Sequence, residues 1–230
     1  MAAFNHTSLQ LNSGHLACFD GGNFILGGLV LEEQKYIDFG LELVASCENT
    51  YNQTLTGIGP DGFGWDASKV PANQSEFYER AGFYITSGYY LLRPEVLESF
   101  YYAYRATGDR KYQDVRLSIP FKKKCNPNLS TRGKNQKILT MPHPQWSFAG
   151  FSNIAKYTRV GSGYSSITDV NAPNGGDFTN FQESFFFAEV LKYAYLIHAD
   201  QDAEFQVAGP DGKNAWVFNT EAHPVRVSGI

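Results

Sequence analysis

The sequence predicts a mainly α-helical fold. Apolar residues recur at helical spacing in several stretches and almost never alternate over long runs. Helix boundaries are marked too, since Pro94 introduces one apolar helical pattern and Gly108 follows its end. With 230 residues, 43% hydrophobic and 15% aromatic, the chain can bury the core of one ordinary domain. The chain is therefore a globular protein or part of one.

The first half of the chain should contain two amphipathic helices separated by a loop. The first helix should end near Cys47 and carries one apolar stripe, formed by Ile37, Leu41, Val44 and Ala45. Residues 51–72 hold several glycines and two prolines, which predicts an exposed loop. The second helix should begin at Pro94, with an apolar face formed by Leu97, Phe100, Tyr101 and Tyr104.

The second half should contain a buried helix and a terminal hairpin. Residues 185–196 are apolar nearly all round the helical wheel, which indicates burial on most sides. Asn180 to Glu183 have the form of an N-cap with a carboxylate three residues on. Apolar residues alternate within 214–227 around a turn, which predicts a terminal β-hairpin or extended plug.

Composition and charge exclude several functional classes. A net charge of -4 and a pI near 5.7 argue against nucleic-acid binding. No window is apolar enough for a membrane span, and the first 14 residues contain no signal peptide. Three cysteines are too few for a disulfide scaffold. Sites that permit N-glycosylation occur at Asn5, Asn52, Asn73 and Asn128. A truncated N-terminus would reconcile these sites with the missing signal peptide.

Four carboxylates stand out as candidate functional groups. Glu95 and Glu98 share one face of the second helix, where they could also be ordinary solvated residues favoured by the helix dipole. Glu189 sits among phenylalanines, so its charge needs a partner, which could be a structural salt bridge, for instance to Lys192. Glu221 follows Thr220, and their oxygens suit a hard cation such as calcium or could form a simple turn.

The histidines give weaker signals. His223 has no second His or Cys at zinc-ligand spacing. His15 precedes an apolar stretch, Leu16 to Phe19, and a glycine turn, where a lone histidine is more often a structural hydrogen-bond donor than a ligand.

The chain contains four motifs: GHLACFDGG at 14–22, LRPEVLES at 92–99, QESFFFAEVLKY at 182–193 and VFNTEAHP at 217–224. These motifs come in the order seen in glycoside hydrolase family 47, the class I α-1,2-mannosidases of fungal type, which this chain resembles. The resemblance implies an all-α fold, the (α/α)7 barrel of the family, of which residues 1–230 would form about the C-terminal half. A terminal β-hairpin would plug the barrel.

The resemblance also implies roles for individual residues. Thr220 matches the calcium ligand, while Glu189 and Glu221 would hold calcium-bound waters and contact the sugar. Glu95 matches the general base. Substrate-binding roles fall on His15, Arg93, Glu98 and Phe185, the last stacking on mannose. Cys18 and Cys47 match the family's disulfide, which would leave Cys125 unpaired.

The implied function is Ca²⁺-dependent, inverting removal of α-1,2-linked mannose from high-mannose N-glycans in the secretory pathway, by a monomer if the protein is complete. The general acid of the family lies in its N-terminal half, so we do not expect residues 1–230 alone to be active. The alternative is a non-catalytic mannose-binding or glycoprotein quality-control protein.

Residues 115–145 differ from their surroundings and do not share the resemblance. They contain Lys122 to Lys124, several prolines and no sustained helical period. Leaving them out joins Asp114 to Trp146 in a continuous Tyr-Gln-Asp-Trp sequence. We interpret the segment as a translated intron, and the alternative is a surface loop unique to this protein.

Overall fold

The computed structural model describes residues 3–5, 8–113, 146–207 and 214–228. Its helices are α1 (Phe19–Leu31), α2 (Gln34–Asn52), α3 (Ser75–Ala81), α4 (Glu95–Thr107), α5 (Trp146–Thr158) and α6 (Leu191–His198). A 3₁₀ turn (His15–Cys18) leads into α1, and a π-helical turn (Phe186–Val190) leads into α6. Within the described ranges, no helix is long and apolar enough to cross a membrane.

Short antiparallel strands join the helices. They are β1 (Ala3–Asn5), β2 (Ser8–Gln10), β3 (Asn12–Gly14), β4 (Gly62–Gly64), β5 (Tyr84–Ser87), β6 (Arg159–Val160), β7 (Gly163–Tyr164), β8 (Trp216–Val217) and β9 (Val225–Arg226). One sheet has the order β3-β4-β5, and the others are two-stranded pairs. The mainly helical fold is confirmed, and so is the terminal hairpin, in which β8 pairs with β9.

Helix α4 lies at the centre of the core. It packs against α1, α2, α5 and α6, so residues on all its sides are buried, including Leu97, Phe100 and Tyr101. The solvated face considered for Glu95 and Glu98 is therefore wrong: Glu95 is 6% exposed and Tyr102 is also 6% exposed. A helical wheel assigns a face to solvent by polarity, whereas here the surrounding helices bury the polar face as well.

Helix α1 reaches α4 through a glycine contact. A Cβ on Gly22 would lie 2.6 Å from the ring of Tyr102, so a larger residue would push the helices apart. The Gly22 N–H donates to Ser99 Oγ at 2.9 Å, and Ser99 Oγ donates to the Cys18 carbonyl at 2.6 Å. The expected disulfide between Cys18 and Cys47 is present and ties this corner to α2. Cys125 lies outside the described residues.

Two boundaries in the first half differ from the sequence prediction. Helix α2 continues past Cys47 to Asn52, because Thr50 and Tyr51 extend its buried side. The stretch 51–72 is not only a loop, since it contains β4, which pairs with β3 and β5. Such pairing over long sequence separation is not visible as a local pattern.

The segment before α6 also differs. Asn180 does not cap a helix, and Glu183 makes no cap bond, because the preceding backbone pairs elsewhere: the Thr179 N–H donates to the Ser166 carbonyl at 3.0 Å. The Gln182 side chain likewise accepts from the Tyr164 N–H at 2.7 Å. Burial on most sides of the helix is confirmed, since within 185–196 only Phe187 and Tyr195 are exposed.

Two backbone hydrogen bonds join the start of α5 to residues that precede the segment 115–145. The segment itself lies outside the described residues. The Trp146 N–H donates to the Lys111 carbonyl at 3.1 Å, and the Ser147 N–H donates to the Tyr112 carbonyl at 3.2 Å. Upstream, Asp109 Oδ1 accepts from the Lys111 N–H at 2.9 Å, as a helix N-cap does. If the 31 residues 115–145 are removed from the sequence, each N–H donor lies four residues after its carbonyl acceptor, which is the spacing of an α-helix.

We propose on this basis that 115–145 is a translated intron, and we expect a chain joining Asp114 to Trp146 to be at least as stable as the present one. The matched control retains Val115, which adds one residue and rotates α5 by about 100° against its first turn. The free energy of unfolding of the control should be lower by roughly 2 kcal/mol or more, because its core packing is disrupted. Urea unfolding of the three chains provides the comparison.

Transcripts give a second, independent readout of the same proposal. Most transcripts should be spliced and should lack the 93 nucleotides that encode these 31 residues. Uniform retention in cDNA, or equal stability of the two deletion variants, would contradict it.

Candidate active site

Glu95 is the first residue of α4, directly after a sharp turn. Leu92 has a left-handed φ of 55°, and Pro94 occupies the N-cap, where its missing N–H leaves no helical bond unmade. The helix N-terminus favours an ionised carboxylate. Burial raises the pKa of Glu95, but the hydrogen bond with His15, together with the Arg93 charge, holds it below its ordinary value. Glu95 is thus a buried carboxylate that remains ionised at neutral pH.

His15 connects Glu95 to two tyrosines. Its Nδ1 lies 2.7 Å from Glu95 Oε2, and its Nε2 lies 2.7 Å from the Tyr51 hydroxyl. The rings of Tyr51 and Tyr90 both lie 5.7 Å from the imidazole, centroid to centroid. His15 is 1% exposed. This histidine bonds directly to the candidate base. It can therefore be a structural hydrogen-bond donor and a residue of the pocket at the same time.

Arg93 lies on the other side of Glu95. Its Nε donates to Asp61 Oδ1 at 2.8 Å, and its Nη1 is 3.9 Å from Glu95 Oε1. The Asp61 carbonyl accepts from the His15 N–H at 3.0 Å. Gly14 permits this approach, since a Cβ there would lie 2.7 Å from the Asp61 carbonyl oxygen. The loop around Asp61 therefore fixes both neighbours of Glu95.

A second group of carboxylates begins one turn along α4. Glu98 Oε1 accepts from the Tyr193 hydroxyl at 2.7 Å. Burial, followed by the nearby charge of Glu95, raises the pKa of Glu98 to about 7. Glu189, on the π-helical turn, has its pKa raised to about 7 by burial and by the charge of Glu98. These side chains form a region of crowded negative charge beside Glu95.

Lys192 links this region to the terminal hairpin. Its Nζ donates to the Asn219 carbonyl at 2.6 Å and to the Glu221 carbonyl at 2.7 Å. Within the described residues it forms no ion pair with Glu189, so the salt bridge considered from the sequence is not present, although the two charges do interact. The bonds hold the exposed turn that carries Thr220 and Glu221 next to α6.

Phe185 immediately precedes the π-helical turn and is half-buried. The next residue, Phe186, is buried and packs against Tyr164 with ring centroids 4.5 Å apart. The turn thus presents successive aromatic residues in different environments, which is compatible with an aromatic surface at Phe185.

The predicted site residues fall in two adjoining groups. Glu95, His15 and Arg93 form the first, and the second consists of Glu98, Glu189, Thr220 and Glu221. The sequence missed four partners, namely Tyr51, Asp61, Tyr90 and Tyr193. Signals existed for Tyr51, because the apolar spacing Val44, Cys47, Tyr51 continues the α2 pattern, and for Tyr193, which ends the motif at 182–193.

A cavity of about 500 Å³ lies apart from both groups, between α2 and the β3-β4-β5 sheet. Its walls include Trp65, Phe83 and Cys47, and no ionisable group lines it, since Cys47 is in the disulfide. Its lining includes hydroxyl groups but no acid or base that could activate them, so the carboxylate groups remain the candidate site.

Comparison with known proteins shows which family the chain is similar to. The sequence profile described as Glycosyl hydrolase family 47 matches residues 1–132 and 142–227. Within 115–145 only residues 133–141 lie outside this match, so the expectation that the whole segment lacks the resemblance is wrong. A mannosyl-oligosaccharide alpha-1,2-mannosidase of Coccidioides posadasii is 52% identical over 99% of this chain, and the 1B enzyme of Aspergillus phoenicis is 50% identical over 99%. The chain spans 38% of the length of each relative.

A solved structure shows the same fold. The alpha-1,2-mannosidase from Trichoderma reesei is 46% identical, with a TM-score of 0.79, over 98% of this chain and 41% of that one. The expected partial (α/α)7 barrel is thereby confirmed.

The raised pKa of Glu98 predicts a pH dependence of stability. Between pH 4.5 and 7 the folded chain holds a proton on Glu98 that the unfolded chain has released, so the folded state binds more protons there. The free energy of unfolding should therefore fall as pH rises through this window. Glu98→Gln should reduce that fall by on the order of 1–2 kcal/mol, because one pKa unit corresponds to about 1.4 kcal/mol and the group is partly exposed.

Urea unfolding at pH 5 and pH 7.5 measures the effect. Glu42→Gln, at an exposed position on α2, is the matched control and should follow the wild-type curve. An unchanged pH dependence in Glu98→Gln would show that this carboxyl is not the group responsible.

Proposed function

This chain belongs to glycosyl hydrolase family 47, and we propose that its carboxylate site removes α-1,2-linked mannose from high-mannose N-glycans with inversion. The observation that carries this proposal is the buried Glu95, bonded to His15 at 2.7 Å and held ionised. Residues 1–230 contribute part of the catalytic domain. Since they span 38% of the relatives' length, the whole enzyme's activity depends on parts of the barrel outside them.

Glu95 acts as the general base. An inverting glycosidase needs one carboxylate to activate water and a second carboxyl group, about 6.5–9.5 Å away, to protonate the leaving oxygen. A base must be ionised, and the neighbouring His15 and Arg93 favour that form of Glu95. The acid is expected in the part of the family barrel that these residues do not cover. Arg93, Glu98 and Phe185 would bind and orient the mannose ring.

Calcium is the cofactor we propose for the second carboxylate group. Thr220 would hold it through its hydroxyl and backbone carbonyl, with Glu189 and Glu221 holding water around it. These oxygen donors suit a hard cation. Burial and the charges of nearby carboxylates raise the pKa of Glu189 to about 7, and a cation would relieve the repulsion among those charges. In the part of the chain described, no three His, Cys, Asp or Glu side chains group closely enough to hold a metal on their own. Bound calcium would supply charge that orients the sugar hydroxyls.

The secretory pathway is the compartment we propose, with a monomeric enzyme. The Cys18–Cys47 disulfide is typical of oxidising compartments. Two of the N-glycosylation sites, Asn52 and Asn73, are exposed and so accessible to modification.

The first test joins residues 1–230 to the remaining part of the Trichoderma reesei enzyme. This hybrid should release mannose from α-1,2-linked oligosaccharides, whereas residues 1–230 alone should not. Glu95→Gln should lower kcat of the hybrid by about 10²- to 10⁴-fold, because the amide cannot accept the water proton. The control is Glu76→Gln, at an exposed position on α3.

Two outcomes of this test count against the proposal. Hydrolysis by Glu95→Gln at the wild-type rate would exclude Glu95 as the base. A folded hybrid that binds mannose oligosaccharides without cleaving them would instead favour the non-catalytic mannose-binding alternative.

The second test measures calcium binding to the same hybrid by titration calorimetry. Thr220→Val removes the hydroxyl at nearly constant shape and should weaken binding by roughly 10- to 100-fold, as loss of a supporting ligand group does. Thr220→Ser retains the hydroxyl and should bind much as the wild type does. Equal affinity of the valine and serine variants would place the calcium site elsewhere.

A further inference from the structure

Tyr51 holds the edge of His15 that faces away from Glu95. The two bonds, Nε2 to the Tyr51 hydroxyl and Nδ1 to Glu95 Oε2, are each 2.7 Å long. His15, Tyr51 and Glu95 are all buried. A ring bonded at both nitrogens cannot turn away from Glu95 without leaving a buried polar group unpaired, which is unfavourable.

The neighbouring groups also determine where the protons lie. Burial, followed by the charge of Glu95, raises the pKa of Tyr51 well above its ordinary value, so its hydroxyl keeps its proton. Tyr90 donates to the Arg93 carbonyl at 3.0 Å. Tyr90 also forms a side-chain hydrogen bond with Tyr51 in which the Tyr51 hydroxyl is the acceptor, so the Tyr51 proton is free to point at Nε2 of His15. A neutral imidazole that accepts at Nε2 carries its proton on Nδ1, where it donates to the Glu95 carboxylate.

The disulfide holds the two rings at this spacing. Cys18 lies three residues after His15 in the same 3₁₀ turn, and Cys47 lies four residues before Tyr51 on α2. Each cysteine is therefore about one helical turn from the ring it positions. The covalent link joins the two backbone segments whose side chains meet at Nε2.

We propose that Tyr51 is a positioning residue for the reaction, acting through His15 to hold the Glu95 carboxylate in the orientation that a general base requires. The Tyr51 hydroxyl fixes the Nδ1–H tautomer and the ring plane of His15, and His15 in turn fixes one oxygen of Glu95. The other oxygen faces Arg93. The catalytic part of this inference rests on the proposed function of Glu95.

Kinetics of the hybrid enzyme test the catalytic part. Tyr51→Phe should lower kcat about tenfold, in the range seen when supporting hydrogen bonds are lost, and should leave KM within about twofold. The groups that face His15 are Glu95, Tyr51 and Tyr90, with Arg93 beside Glu95. Because a loosened His15 stabilises ionised Glu95 less well, the acidic limb of the kcat profile should move to higher pH. Tyr36→Phe, on the same helix outside the site, is the control.

Nitrogen NMR of the 230-residue chain tests the tautomer without any activity assay. The chain has five histidines, and His15→Gln identifies the His15 signals. Wild-type His15 should show protonated Nδ1 and unprotonated Nε2 at pH 7, and Tyr51→Phe should shift the Nε2 signal. Tyr193→Phe removes another buried hydroxyl that bonds to Glu98 instead, so it should leave the His15 signals in place.

The two experiments separate the possible failures. An inactive wild-type hybrid would refute the proposed function, while the NMR result would still decide the role of Tyr51. Wild-type His15 protonated on Nε2 would overturn the inference even if Tyr51→Phe failed to fold. An unchanged kcat and pH profile in a folded, active Tyr51→Phe hybrid would overturn it as well.

Discussion

The hydrogen bond between His15 and Glu95 is the interaction on which the site depends. A carboxylate removed from water costs several kcal/mol unless it is paired and fully hydrogen-bonded. Glu95 pairs with a histidine 80 residues away, and that histidine pairs with Tyr51, 36 residues from it. The 3₁₀ turn, α2 and α4 must therefore meet at one point. The disulfide and the glycine contact between α1 and α4 act at this same corner.

Two carboxylates one turn apart on α4 differ in pKa. Glu95 faces His15 and Arg93, which hold its pKa down, whereas burial, followed by the charge of Glu95, raises the pKa of Glu98 to about 7 despite its hydrogen bond from a tyrosine hydroxyl. Acid-base chemistry near neutral pH relies on such separation. Glu95 is the one suited to accept a proton from water, and Glu98 is suited to share hydrogen bonds with sugar hydroxyls.

Local patterns in the sequence predicted the elements but not their surroundings. The apolar spacing and the flanking Pro94 and Gly108 were sufficient to place α4, and alternation placed the terminal hairpin. The same helical wheel put Glu95 on a solvated face, because it carries no information about four neighbouring helices. Asp61 was read as part of a loop, since its role arises from contacts with His15 and Arg93 that are distant in sequence.

The two groups of the site differ in how firmly they are held. The first group contains His15, Glu95 and their hydrogen-bond partners. Buried hydrogen bonds, a disulfide and close helix contacts fix these residues. The turn at Thr220 is exposed and is held to α6 through backbone bonds from Lys192, with Phe218 packed near Tyr101. A base requires a fixed position to activate water, whereas hydrated groups around a cation can adjust to it. The rigid and adaptable parts of the site thus correspond to the two tasks proposed for them.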